Sequence, residues 1–186
     1  MARPIRVLVV EENEDDLALI LRELQRCGYE PGTRRVETPV EMQHALRQET
    51  WDVVLSEWSL PQFSALFALE MLKSQHLDLP FIIVSGKEIS EEDTILAMKA
   101  GVYHFVNKQC LVRLPLTIER ELLEANNRQA RRKAEAALAA SEERLDLVTR
   151  ATNDAVRDWD LLTSEMWWNE GFSALFGYQV QDIEAS

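Results

Sequence analysis

The sequence predicts a doubly wound α/β domain, a parallel sheet with helices on both faces, followed by a long helix and part of a second domain. Three observations carry this. Over residues 1–124, short β-branched apolar runs alternate with amphipathic helical patterns five times. From Leu116 to Glu170 there is neither Gly nor Pro. Beyond Thr149 the texture changes, and three of the five tryptophans fall there, Trp159, Trp167 and Trp168.

Ile5-Arg6-Val7-Leu8-Val9-Val10 is nearly all apolar, as a strand buried on both faces requires. Asp16–Cys27 repeats Leu17, Ile20, Leu21 and Leu24 at helical spacing, with Gly28 as its stop. Thr33–Glu37 is a weaker strand. Pro39–Gln48 is a helix with its proline near the start and Met42, Ala45 and Leu46 facing inward. Asp52–Ser56 is the third strand. Ser64–His76 is a helix through Leu66, Phe67, Leu69, Met71 and Leu72. Phe81-Ile82-Ile83-Val84 is the fourth strand. Ser90–Ala100 is a helix with Ser90 as N-cap, Asp93 closing a capping box and Gly101 as stop. Tyr103–Val106 is the fifth strand, and a long helical pattern starts near Leu111.

That helical pattern reads on to Thr149, about 55–60 Å from Leu111 at 1.5 Å per residue. Its centre, Asn126–Lys133, is too polar for a core helix. Ala134, Leu138, Ser141, Leu145 and Val148 then recur at alternating spacings of four and three, the pattern of a short coiled-coil seam. The competing reading is a solvated linker helix. The organisation is thus 1–124 for the α/β domain, 125–149 for the linker and 150–186 for the opening of a second domain. In that last part, Val156–Asp160 and Glu165–Asn169 read as short strands around Leu162-Thr163-Ser164, and Gly171–Phe176 as a short helix ended by Gly177. Two strands and one helix cannot enclose the tryptophans, so the sequence is expected to stop inside a domain.

Composition narrows the function classes. The formal net charge of −12 over 186 residues argues against nonspecific binding to nucleic acid or to an anionic membrane. Acid is clustered at Glu11, Glu12, Glu14, Asp15 and Asp16, and again at Glu88, Glu91, Glu92 and Asp93, as helix N-termini favour. Cys27 and Cys110 match no metal or disulfide framework. No signal peptide or membrane-length apolar run occurs, so a cytoplasmic location is expected. His44, His76 and His104 are scattered and match no metal spacing.

In a doubly wound sheet, functional groups gather at the carboxyl ends of the strands. Glu11 and Glu12 follow the first strand, Glu57 the third, Ser85-Gly86 the fourth and Lys108 the fifth. Three carboxylates brought together repel unless a cation sits among them, and Mg²⁺ suits oxygen ligands. With a lysine and a hydroxyl added, these parts suit phosphoryl transfer.

The motifs at 7–13 (Val-Leu-Val-Val-Glu-Glu-Asn), 54–61 (Val-Leu-Ser-Glu-Trp-Ser-Leu-Pro), 81–86 (Phe-Ile-Ile-Val-Ser-Gly) and 100–108 (Ala-Gly-Val-Tyr-His-Phe-Val-Asn-Lys) resemble the response-regulator receiver domain. The resemblance implies a flavodoxin-like (βα)5 doubly wound parallel sheet of strand order 2-1-3-4-5. It places Glu11 and Glu12 at the acidic pair that helps hold Mg²⁺, and Glu57 at the phosphate-accepting aspartate. Ser85 would bond the phosphoryl group, Lys108 would pair with it, and Phe105 would move with activation. The metal ligands implied are Glu12, Glu57 and the Ser59 backbone carbonyl. Trp58 and Pro61 shape the loop after the third strand, with Trp58 a candidate partner contact.

Two positions depart from the family. Glu57 and Glu12 stand where aspartate is usual, each one methylene longer. In-line attack tolerates little misplacement, and Mg²⁺ demands near-octahedral geometry. Weak metal binding and inefficient phosphate acceptance at Glu57 follow. Three states stay open on the residues: Glu57 mimics phosphate, the pocket is an inert scaffold, or some phosphorylation persists. From 140 to 178 the sequence resembles the start of a PAS sensory domain, a family that often binds haem, flavin or small metabolites; no residue here identifies a ligand. The order receiver, helix, PAS implies an output such as a histidine kinase or a cyclic-di-GMP enzyme, a histidine kinase or other signalling partner, and a homodimer through the helix. No catalytic output motif is present.

Overall fold

The computed structural model describes residues 2–87, 89–102, 104–152, 155–163 and 166–177. Two compact units divide the chain, Met1–Arg128 and Gln129–Ser186. The boundary falls within one helix, a few residues past the end at 124 that the sequence predicts.

In the first unit the chain runs β1 (Arg3–Val10), α1 (Glu14–Arg26), β2 (Tyr29–Val36), α2 (Pro39–Gln48), β3 (Val53–Ser56), a hairpin of β4 (Ser59–Leu60) and β5 (Phe63–Ser64), α3 (Ala65–Ser74), β6 (Phe81–Ser85), α4 (Glu91–Lys99) and β7 (Phe105–Asn107). A 3-10 turn, Lys108–Arg113, leads into α5, Leu114–Thr152. The main sheet has the order β2-β1-β3-β6-β7, every pair parallel. Counted as strands of that sheet, this is the expected 2-1-3-4-5.

Period-two alternation splits the core in two. Leu8, Val10, Val54 and Ile83 face one side and pack with Met42, Leu69, Leu72 and Ala97 of α2, α3 and α4. Val7, Val9, Leu55 and Ile82 face the other and pack with Ile20, Leu24, Leu114 and Ile118 of α1 and α5. The central strands therefore read as continuous apolar runs, each fully buried Ile or Leu contributing ~1.5–3 kcal/mol.

The elements differ from expectation where tertiary pairing overrides local signals. β2 begins at Tyr29, not Thr33, and includes Pro31 and Gly32. It is an edge strand paired only with β1, so a proline costs it no ladder bond on the open side. The loop after β3 folds as a hairpin, with Ser59 opposite Ser64 and Leu60 opposite Phe63 across the Pro61-Gln62 turn. The fifth sheet strand lies at 105–107, and Tyr103 is outside the described residues. Ser90 caps α4 by accepting the Asp93 N–H at 3.1 Å, but the reciprocal bond appears instead in α2, between Thr38 and Glu41. Gly28 and Gly101 end their helices at φ +85° and +92°. His76 does the same at φ 56°, an uncommon place for a side chain.

In the second unit, β8 (Arg157–Trp159) and β9 (Met166–Trp168) form an antiparallel pair, and α6 spans Glu170–Phe176. Asn169 is buried, and its Oδ1 accepts the Val156 N–H at 2.9 Å. The Trp168, Phe172 and Phe176 rings stack in series at 4.4 and 5.0 Å. Ser164 of the expected turn and Tyr178 lie outside the described residues. Among the described residues no helix is long and apolar enough to cross a membrane.

Candidate functional site

The ends of β1, β3 and β6 and the turn after β7 converge on one ammonium group. Lys108 begins the 3-10 turn, and its side chain is only 9% exposed. Its Nζ lies 2.6 Å from Glu11 Oε2, 2.7 Å from Asp16 Oδ2 and 2.6 Å from Glu57 Oε2. Burial alone would disfavour the ammonium, but the bonds it donates to Asp16, Glu11 and Glu57 outweigh it and hold the lysine pKa above its usual value.

Backbone pairing aims each carboxylate. The Glu11 N–H donates to Val36 O at 3.1 Å and the Glu57 N–H to Val10 O at 2.9 Å, so both residues continue the ladder one step past their strands. Glu11 Oε1 accepts the Asn13 N–H at 3.0 Å. Glu57 Oε1 accepts the Trp58 N–H at 2.8 Å, and Oε2 faces the Gly86 N–H at 3.4 Å. Burial raises the Glu57 pKa, yet Lys108, the Ser85 hydroxyl and the Trp58 amide overcome it, and the net shift is downward. Glu57 is thus an ionised, donor-saturated carboxylate. Ser85 is itself buried and accepts the Lys87 N–H at 3.2 Å.

Glu12 does not join them. It is exposed, and among the described residues its carboxylate makes no bond. Beside it, Arg35 on β2 donates from Nη1 to the carbonyls of Glu11 and Glu12 at 3.2 and 3.0 Å. The third carboxylate on Lys108 is Asp16, in the first turn of α1, which the sequence shows only as one acid in a run of five. Ser59, expected to offer a carbonyl, lies in the β4–β5 hairpin opposite Ser64. Phe105 packs partly against the α2–α4 side of the core and lines a cleft of about 350 Å³ with Ser85, Ile89 and Thr94.

A divalent ion does not fit the residues present. The gap between Glu11, Asp16 and Glu57 is filled by the lysine ammonium, and Glu12 faces outward. Among the described residues no group of three or more His, Cys, Asp or Glu side chains is arranged to hold a metal.

Residues 7–115 match the response regulator receiver domain. The chain belongs to this family. Its receiver is similar to that of the Bacillus subtilis alkaline phosphatase synthesis transcriptional regulatory protein PhoP, 26% identical over 106 residues, or 55% of this chain and 42% of that regulator. The chain therefore spans less than half of that relative's length. Among solved structures, NtrX from Brucella abortus superposes with TM-score 0.60 at 26% identity, covering 72% of this chain and 30% of that one. The beryllofluoride-activated NtrC4 receiver domain dimer superposes with TM-score 0.56 at 26% identity, covering 64% and 98%. The receiver is homologous to those of two-component response regulators.

Proposed function

We propose that this receiver is a regulatory module of two-component signalling that works without accepting phosphate, passing its state along α5 to a PAS domain and an output domain outside residues 1–186. The seat of Glu57 carries the reading. Its carboxylate lies 2.6 Å from Lys108 and bonds Ser85, the two groups a phosphoryl group would use in this family. A residue whose two oxygens already face an ammonium, a hydroxyl and two amides is a poor nucleophile for in-line attack.

The rest of the reading has its own support. The β8–β9 pair followed by a short helix, with Trp168 against Phe172, suits the start of a PAS domain. Leu138, Leu145 and Val148 are exposed at heptad spacing, which suits a homodimer through the helix. The NtrC4 receiver is a dimer in its beryllofluoride-activated form, so pairing of receivers has a precedent. A histidine kinase or another cytoplasmic signalling protein is the partner we assign.

The test is incubation of the full chain with acetyl phosphate and Mg²⁺, read by intact mass. No phosphoryl adduct is expected. A stable adduct that disappears in Glu57→Gln overturns the reading in favour of a working phosphoacceptor.

A further inference from the structure

We propose that the acidic pocket carries its own cations, Lys108 and Arg35, and is thereby closed to Mg²⁺ and other hard divalent ions. The inference deepens the phosphate-independent reading and rests on it. Seven acids crowd this end of the sheet: Glu11, Glu12, Glu14, Asp15, Asp16, Glu37 and Glu57. Such a cluster ordinarily attracts a counter-ion. Here two side chains of the same chain are placed to serve.

Lys108 takes the inner position. Each carboxylate oxygen of Glu11 and Glu57 already faces an N–H donor. Oε2 of each meets the ammonium at 2.6 Å, and Oε1 of each accepts a backbone N–H, from Asn13 and Trp58. A magnesium ion needs oxygen lone pairs at about 2.0–2.1 Å in near-octahedral array. To reach Glu11 and Glu57 it would have to displace an ammonium held by three carboxylates, or sit beside it against like-charge repulsion.

Arg35 takes the outer position. Besides the two carbonyls it gathers, it pairs with the carboxylates of Glu37 and Glu14, the latter at 3.0 Å. Glu12, the remaining acid after β1, is exposed, and its backbone carbonyl accepts from Arg35. The two cations therefore divide the acids between them, and the one point at which three carboxylates converge, those of Glu11, Asp16 and Glu57, is taken by the Lys108 ammonium.

The experiment is titration of the full chain with Mn²⁺, counted by electron paramagnetic resonance, with no phosphoryl donor present and folding checked by circular dichroism. Wild type is expected to show no saturable site at millimolar ion. Lys108→Met, or Lys108→Gln should the first fail to fold, is expected to bind one ion at least about tenfold more tightly. Adding Arg35→Gln should strengthen that site by freeing Glu12, and adding Glu57→Gln should abolish it. A saturable wild-type site lost in Glu57→Gln overturns the proposal, as does a folded Lys108 variant that still binds nothing. Wild-type ion binding without an acetyl phosphate adduct would overturn the closed pocket alone and leave phosphate-independent signalling standing.

Discussion

Asp16 and Lys108 stand 92 residues apart and meet at 2.7 Å. The contact joins the first turn of α1 to the end of the sheet and sets a lysine between three carboxylates. Replacing Asp16 by Asn keeps the shape and removes one charge from a mostly buried ammonium. A destabilisation of about 1 kcal/mol is expected in urea unfolding, below the full worth of a charged hydrogen bond because two partners remain. Glu12→Gln, on the outer side, should stay within about 0.5 kcal/mol of wild type. Equal effects from the two variants would rule out the asymmetry between them.

Glu57 carries a pH signature. Its folded pKa is depressed below the ordinary glutamate value of about 4.3, so its contribution is present above that value and lost as pH falls through the folded pKa. Glu57→Gln should therefore be less stable than wild type by about 1–2 kcal/mol at pH near 7, with the gap closing as the solution is acidified below about 4. Paired denaturation curves across that range check this. A gap that persists at the acid end would show that the loss is one of packing.

His76 closes α3 in the left-handed region at φ 56°. Its N–H donates to Lys73 O and the Leu77 N–H to Leu72 O, both at 3.0 Å, the crossed pair of a Schellman end. An L side chain there costs roughly 1–2 kcal/mol, and glycine escapes that cost while losing more chain entropy. His76→Gly should raise stability by about 0.5–1 kcal/mol, visible as a higher Tm. A lower Tm would mean that the imidazole makes up the difference through contacts of its own.

The helix seam is tested by Leu138→Asp with Leu145→Asp. Both leucines are exposed in the single chain. Charges at two core positions of so short a seam should convert dimers to monomers in light scattering, while the circular dichroism of the receiver is kept. Dimers that survive would move the interface elsewhere.

Much of the fold was legible because its signals are local. Runs such as Val7–Val10 and Phe81–Val84 report burial on both faces of a sheet, and glycines at 28 and 101 report helix ends by their freedom at positive φ. The β4–β5 hairpin was not legible, since two-residue strands carry no periodicity. The start of β2 is not legible either, because Pro31 argues against a strand until its edge position is known.

By itself the sequence determined the order of strands and helices, and hence a parallel sheet that brings Glu11, Glu57, Ser85 and Lys108 to one end. That follows from covalent order and from the rule that connections between parallel strands cross over one way. Only the tertiary structure decided which acids face the lysine. Neighbouring residues in the loop after β1 and the first turn of α1 meet different partners: Asp16 reaches Lys108, 92 residues away, while Glu12 is exposed. That outcome is made by contacts between distant parts of the chain, which no local pattern of residues encodes.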